Sequence, residues 1–158
     1  MNTLNATVLD IDLEQEATRI ASRLREITAQ TLRRRGLVVA ISGGIDSSVS
    51  FALAVRALGP ERVLGLILPE QDSSDDSAVR ATLLAQHLGV KVEVCNIAAT
   101  LEAIGCYRWR DDAVRSVIPA YTTGWRMKIV ISGGINGRIN HFRIIAQAPD
   151  GTLIEESL

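Results

Sequence analysis

A phosphate site needs hydrogen-bond donors aimed at one point and little side-chain bulk around it. The run Ser42-Gly43-Gly44-Ile45-Asp46-Ser47, followed by Ser48, meets both needs. Gly43 and Gly44 can take positive φ and let oxygen atoms approach the backbone. The amides of 42–48 can form an anion-binding concavity that opens into a helix N-terminus. Ser42, Ser47 and Ser48 add hydroxyl donors. Asp46 is out of place if only anions bind. A carboxylate beside phosphates makes sense when it holds a divalent cation that bridges them. The run is neither GxxxxGK[ST] nor GxGxxG, and no lysine lies near it. Two adjacent glycines between a strand and a helix also fit a plain tight turn with Ser47 as the cap. The wider run LVVAISGGIDSSV favours the phosphate reading.

The surrounding elements must present this loop. After an extended lead-in at 1–12, Leu13, Ala17, Ile20, Leu24 and Ile27 recur at steps of three and four, which predicts a helix over 13–35. Acidic residues lie near its start and Arg33, Arg34 and Arg35 near its end, as the helix dipole favours, and Gly36 is expected to stop it. LVVAI at 37–41 is a continuous apolar run, the mark of a strand buried on both faces of a parallel sheet. There follow a helix over 47–58, a buried strand VLGLIL at 63–68 and a polar loop at 69–77. A helix over 78–88, a strand at 90–94 and a short helix at 98–104 complete the series. This alternation with short connections predicts an α/β fold, a doubly wound parallel sheet over 37–105. Its ligand crevice belongs at the carboxyl ends of the strands, where the loop at 42–46 and the polar loop both fall. Beyond 106 the character changes. The Arg- and Asp-rich stretch 107–121 reads as partly helical, and 127–131 and 141–148 as two strands around a turn containing Asn136-Gly137. The chain thus reads as one domain with three parts: a lead-in and long helix (1–35), a nucleotide-binding core (36–105) and a C-terminal extension with a β-hairpin (106–158).

SGGIDSS is similar to the pyrophosphate-binding loop of the N-type ATP pyrophosphatases, and the whole run 37–90 resembles the NAD synthetases among them. The block LEAIGCYRWRDDAVRSVIPAYTTGWRMKIV resembles a segment of the longer bacterial, ammonia-type members. Together these cover most of the chain. The resemblance implies a Rossmann-like, adenine nucleotide alpha-hydrolase-like fold. It implies an ATP-dependent amidation of deamido-NAD with ammonia, giving NAD, AMP and pyrophosphate. It implies that Ser42, Gly43, Gly44, Ser47 and Ser48 hold the ATP phosphates, with Ala40, Ile41, Ile45 and Leu68 completing the ATP site. The segment 66–69 would lie against adenine, Asp46 would bind Mg2+, and the long first helix would help form a homodimer. Ala40 stands where the family usually has Gly. The resemblance also implies about another hundred residues, bearing a further metal carboxylate and most of the deamido-NAD site. The chain therefore reads as a fragment or a natural truncation, not expected to complete catalysis alone. No catalytic residue is singled out and no glutaminase is visible, so ammonia would come free or from a partner. Two readings stand beside this one: another adenylating pyrophosphatase, such as a sulfur-transfer enzyme using Cys95, and a non-catalytic ATP-binding module.

Composition narrows the partners. A chain of 158 residues with 47% hydrophobic residues and mean hydropathy +0.17 is an ordered globular chain. Its net charge of −1 gives no global field for nucleic acid or anionic membrane. No run of about 18 apolar residues is present and 1–12 lacks a signal-peptide pattern, so the expected location is the cytoplasm. Cys95 and Cys106 make neither a zinc pattern nor a disulfide framework. Ser132-Gly133-Gly134-Ile135-Asn136 echoes the loop with Asn for Asp and reads as a hairpin turn. Asp72, Asp75 and Asp76 read as a solvated loop with a helix cap at Ser74 or Ser77, with metal binding as the alternative. His87 reads as a surface residue near a helix end, and no partner can be named for His141. Tyr107, Trp109 and Trp125, interleaved with Arg108, Arg110, Arg115 and Arg126, read as packing or interface rather than base stacking.

Overall fold

The computed structural model describes residues 10–132 and 141–157. Residues 1–9 and 133–140, on which fall most of the expected lead-in, the expected Asn136-Gly137 turn and most of the Ser132 echo, lie outside the described residues. Two compact units divide between Ala98 and Ala99.

In the first unit, Asp12 caps helix α1 (Leu13–Glu26) by accepting the Gln15 amide at 3.0 Å. The helix widens into one π-helical turn, Ile27–Thr31. It does not run on to Gly36 as its periodicity suggests. The Arg34 amide bonds back to the Thr28 carbonyl at 2.8 Å, and Arg33 takes a left-handed conformation (φ 51°). That is a helix-terminating geometry usually filled by glycine. Gly36 serves another purpose. A Cβ there would stand 2.5 Å from the Arg62 carbonyl oxygen, so glycine permits two backbone segments to meet. Helix α2 (Ile45–Leu58) packs on α1. Arg56 bonds both carboxylate oxygens of Glu14 and the Thr18 hydroxyl, and Arg25 Nε donates to the Ala57 carbonyl at 2.9 Å.

Strand β1 (Leu37–Ala40) pairs parallel with β2 (Val63–Ile67), which pairs parallel with β3 (Val92–Val94). The order is β1-β2-β3. Successive right-handed crossovers that advance in one direction put α2 and α3 (Asp75–His87) on the same face. Phe51 and Ala54 of α2 and Ala81 and Ala85 of α3 pack there with Ile41, Val63 and Ile67. This is a Rossmann-like βαβαβ unit, and it corrects one expectation. β1 is not buried on both faces: Val38 is 63% exposed, because β1 is a sheet edge and the helices cover one side. α2 and α3 also begin earlier than their apolar periodicity suggests, at Ile45 and Asp75. β3 is correspondingly short, since the Val90 amide bonds the Ala85 carbonyl and closes α3.

The second unit opens in α4 (Ala98–Ala103) and continues into α5 (Cys106–Val117), after Gly105 at φ 85°. Strands β4 (Arg126–Ser132) and β5 (His141–Gln147) pair antiparallel, as the hairpin reading expects. The last residues form a third strand, β6 (Leu153–Ser157), on β5. The turn before it closes with Gly151 N–H on the Ala148 carbonyl and Ala148 N–H on the Thr152 carbonyl. Val114, Ile118 and Tyr121 pack with Ile144 and Ala146 to make the core. Tyr107 is buried, with the Arg110 guanidinium 5.3 Å from its ring centre, and Tyr121 meets Trp125 edge-on at 6.0 Å. These aromatic residues are packing elements, while Trp109 stays exposed.

Gly36→Ala is expected to destabilise the fold by about 1–3 kcal/mol, because the clash is with backbone and one strand start must shift. Urea unfolding measures it; a loss under about 0.5 kcal/mol would mean that the contact yields freely.

Candidate functional site

The loop at 42–48 lies where β1 ends and α2 begins. Ile41 is buried and extends the sheet ladder, its amide donating to the Leu66 carbonyl at 2.9 Å. Ser42 follows, then Gly43 at φ 75° and Gly44 in extended geometry as the N-cap of α2. The serine hydroxyls bond within the loop. Ser47 Oγ accepts the Ser42 amide at 3.2 Å, lies 3.1 Å from Ser42 Oγ, and donates to the Gly44 carbonyl at 3.1 Å. Ser48 Oγ donates to the same carbonyl at 2.8 Å. The first helical bond of α2 is Ser48 N–H to Gly44 O.

This separates bracing groups from free donors. The amides of Ser42 and Ser48 are used, and that of Gly44 makes a long 3.4 Å contact with Ser42 Oγ. The amides of Gly43, Ile45, Asp46 and Ser47 have no carbonyl to bond among the described residues. The last three form the first turn of a 14-residue helix, whose dipole favours an anion at that end. The structure therefore brings together the loop residues named from the sequence, with a narrower division of labour. Ser47 and Ser48 shape the loop, and four amides are left for a ligand. Asp46 sits exposed in the same first turn.

Two further elements reach the same edge of the sheet. Leu68 follows β2, whose Leu66 pairs with Ala40. Ile97 N–H donates to the Pro69 carbonyl and Cys95 N–H to the Ile67 carbonyl, fixing the chain beyond β2. Helix α3 approaches the loop. A Cβ on Gly43 would stand 2.4 Å from the Ser77 carbonyl oxygen and 3.2 Å from Arg80 Cβ. Sequence reading passes over Arg80, which sits far along the chain in an ordinary helical position. Its side chain is 62% exposed and only loosely held, with Nη2 3.9 Å from the Asp76 carboxylate and Nε on the Asp76 carbonyl. Thus an exposed cation has its stem against the loop at 42–48.

The other candidates disperse. Ser74 is the N-cap of α3, but its hydroxyl pairs with Ser77 Oγ at 2.8 Å rather than with a backbone amide. Asp72 lies in the loop before α3, its amide on a Glu70 carboxylate oxygen. Among the described residues no three His, Cys, Asp or Glu side chains group as a metal cluster. Asp46, the one carboxylate in the loop at 42–48, could be the protein ligand of a magnesium ion whose other ligands are waters and phosphate oxygens, a coordination magnesium commonly adopts. His87 is exposed at the end of α3, and His141 begins β5.

A family model described as NAD synthase matches residues 16–133. An NH(3)-dependent NAD(+) synthetase of Rhizobium meliloti is 45% identical over 148 residues, which are 93% of this chain and 44% of that protein. One from Mesorhizobium japonicum is 43% identical, over 91% of this chain and 46% of that protein. The chain thus spans a little under half the length of these curated relatives. Among solved structures, an NH3-dependent NAD synthetase from Campylobacter jejuni in complex with the nitrate ion aligns with TM-score 0.56 at 26% identity, over 62% of this chain and 42% of its own. An NMN synthetase from Francisella tularensis aligns with TM-score 0.57 at 25% identity, over 64% and 41%.

Gly43→Ala would combine a strained positive φ with a 2.4 Å approach to the Ser77 carbonyl. The expected cost is about 1–3 kcal/mol, read from urea unfolding. A variant as stable as the parent would show that the loop and α3 are not in contact.

Proposed function

The chain belongs to the NAD synthase family, and we propose that it provides the ATP-gripping part of an ammonia-dependent NAD synthetase. The reaction is the ATP-dependent amidation of deamido-NAD. The nicotinate carboxylate attacks the α-phosphorus, an oxygen–phosphorus bond forms, and pyrophosphate departs. Ammonia then adds to the activated carbonyl and AMP departs, carrying away the oxygen by which it was attached. The observation that carries this reading is the set of free amides at Gly43, Ile45, Asp46 and Ser47 beside the helix terminus.

In this reading the amides bind the phosphates, and the serine hydroxyls hold the loop in shape before ATP arrives. Such pre-organised donors stabilise charge without reorganising during the reaction. Asp46 would hold Mg2+, which supplies charge neutralisation on the phosphates when bound. Leu68, with Ala40 and Ile41 behind the loop, would border the adenine side. Arg80 would swing from Asp76 to the phosphates and add the cation that the loop itself lacks. Helix α1 would form a homodimer surface. Exposed Ile11, Leu13 and Leu32 support that part of the reading. No helix among the described residues is long and apolar enough to cross a membrane, and a cytoplasmic enzyme is the expectation.

The deciding experiment is pyrophosphate release from ATP by the chain at its natural length. Release should require deamido-NAD and ammonia together; release indifferent to the acceptor would sink the ligase assignment. Asp46→Asn is expected to erase the difference between ATP binding in magnesium and in chelator, measured by calorimetry. A variant that keeps the difference has its metal carboxylate elsewhere. Arg80→Ala is expected to weaken ATP binding by about threefold to tenfold, with urea stability unchanged within about 0.5 kcal/mol. Unaltered affinity removes Arg80 from the site.

A further inference from the structure

The end of the sheet remote from the phosphate-type loop carries an unusual concentration of positive charge. Arg25, Arg33, Arg34, Arg35 and Arg62 line one cavity of about 370 Å3, floored in part by buried Thr28. No carboxylate lines it. Elsewhere the arginines of the described chain mostly meet acids: Arg19 with Glu16, Arg56 with Glu14, Arg115 with Asp112, Arg143 with Glu155. Of the five in the cavity, only Arg25 has a described side-chain bond, through Nε to the Ala57 carbonyl, and that leaves its outer nitrogens free. The other four make no described ion pair.

The backbone holds them together. The left-handed Arg33 turns the chain back on the π-helical turn, where the Arg34 amide meets the Thr28 carbonyl, and Gly36 brings the segment against the Arg62 carbonyl. The terminal carbonyls of α1 favour a cation or two nearby. They do not account for five in one concavity, where mutual repulsion opposes the arrangement. An adjoining cavity of about 580 Å3 shares Arg35 and Arg62 and adds Glu61 and Lys91, the latter already paired with Glu93, so the excess of unpaired positive charge belongs to the smaller cavity.

We propose that this arginine-lined cavity binds a small polyanion carrying at least two phosphoryl groups. Guanidinium forks bind phosphate oxygens in pairs, and the volume falls within the usual range for small-molecule sites. No aromatic side chain lines the cavity, so a base-stacking platform for single-stranded nucleic acid is lacking. Charge and phosphate geometry are what it can read. The site is distinct from the loop at 42–48 and does not depend on the function proposed for that loop.

The probe is inorganic tripolyphosphate, titrated calorimetrically into a Gly44→Asp variant. That change places a carboxylate in the phosphate-type loop and repels anions there, at a helix N-cap position where aspartate is favoured. Saturable binding is expected to persist in Gly44→Asp and to weaken at least about tenfold when Arg34→Gln and Arg62→Gln are added. Binding should also weaken steeply with salt. As a second readout, tripolyphosphate should raise the unfolding midpoint of Gly44→Asp but not of the triple variant. ATP titrated into Gly44→Asp separates the sources. Competition with tripolyphosphate means that the cavity accepts a nucleotide's phosphate tail, and no competition restricts it to free polyphosphate. No saturable binding at about 1 mM probe, loss of binding with Gly44→Asp alone, or indifference to the arginine pair would each overturn the proposal.

Discussion

The parallel pairing of β1 with β2 is the interaction on which the rest depends. Its register sets Leu37 beside Val63 and Ala40 beside Leu66, and the Ile41 amide continues the ladder by one bond. Parallel strands send both carboxyl ends to one edge and both amino ends to the other. One edge therefore gathers the loop at 42–48 and Leu68. The opposite edge gathers the arginines that precede β1 and the arginine that precedes β2. A shift by one residue would part Gly36 from Arg62 and send Ile41 away from Phe51. The packing of α2 and α3 on one face then follows from the handedness of the crossovers, and with it the approach of α3 to Gly43.

The loop was legible from sequence because its chemistry is contiguous. Seven consecutive residues carry the donors, the small side chains, the carboxylate and the entry to the helix, and each meaning is local. The hairpin of β4 and β5 was legible for the same reason. The helix end was not. The apolar period of α1 is satisfied through Ile27, but its termination depends on a π-helical turn and on an arginine in a conformation that residue type disfavours. The exposed face of β1 is not legible in its sequence, because an apolar run records what a strand can tolerate, not which layers cover it. β6 was missed since Leu153–Ser157 is polar and mostly exposed, held by the ladder to β5 rather than by burial.

Arg80 and the arginine cavity share a different reason for being hidden. Each is a relation between segments distant in sequence. Arg80 is brought to the loop by the contact of α3 with Gly43, and Arg62 to the other arginines by the contact of its backbone with Gly36. In both places a glycine without a side chain marks where two segments meet. Neither glycine could be paired with its neighbour by reading along the chain.

If the loop grips ATP as proposed, its charge balance calls for an outside cation. The loop offers neutral amides and one carboxylate, so its own side chains are net negative toward a triphosphate. Hydrogen bonds from backbone amides orient phosphate oxygens but do not neutralise several charges held close together. If Asp46 is engaged by magnesium, its charge is offset and the amides are left to act unopposed. Arg80 then has two possible partners, Asp76 at 3.9 Å or the phosphates. The weaker its bond to Asp76, the lower the cost of changing partner. In the proposed reading, a loop braced by its own serines lies beside an arginine held only at Nε and by a long 3.9 Å ion pair, so pre-formed donors are combined with one group whose terminal nitrogens can turn to the ligand.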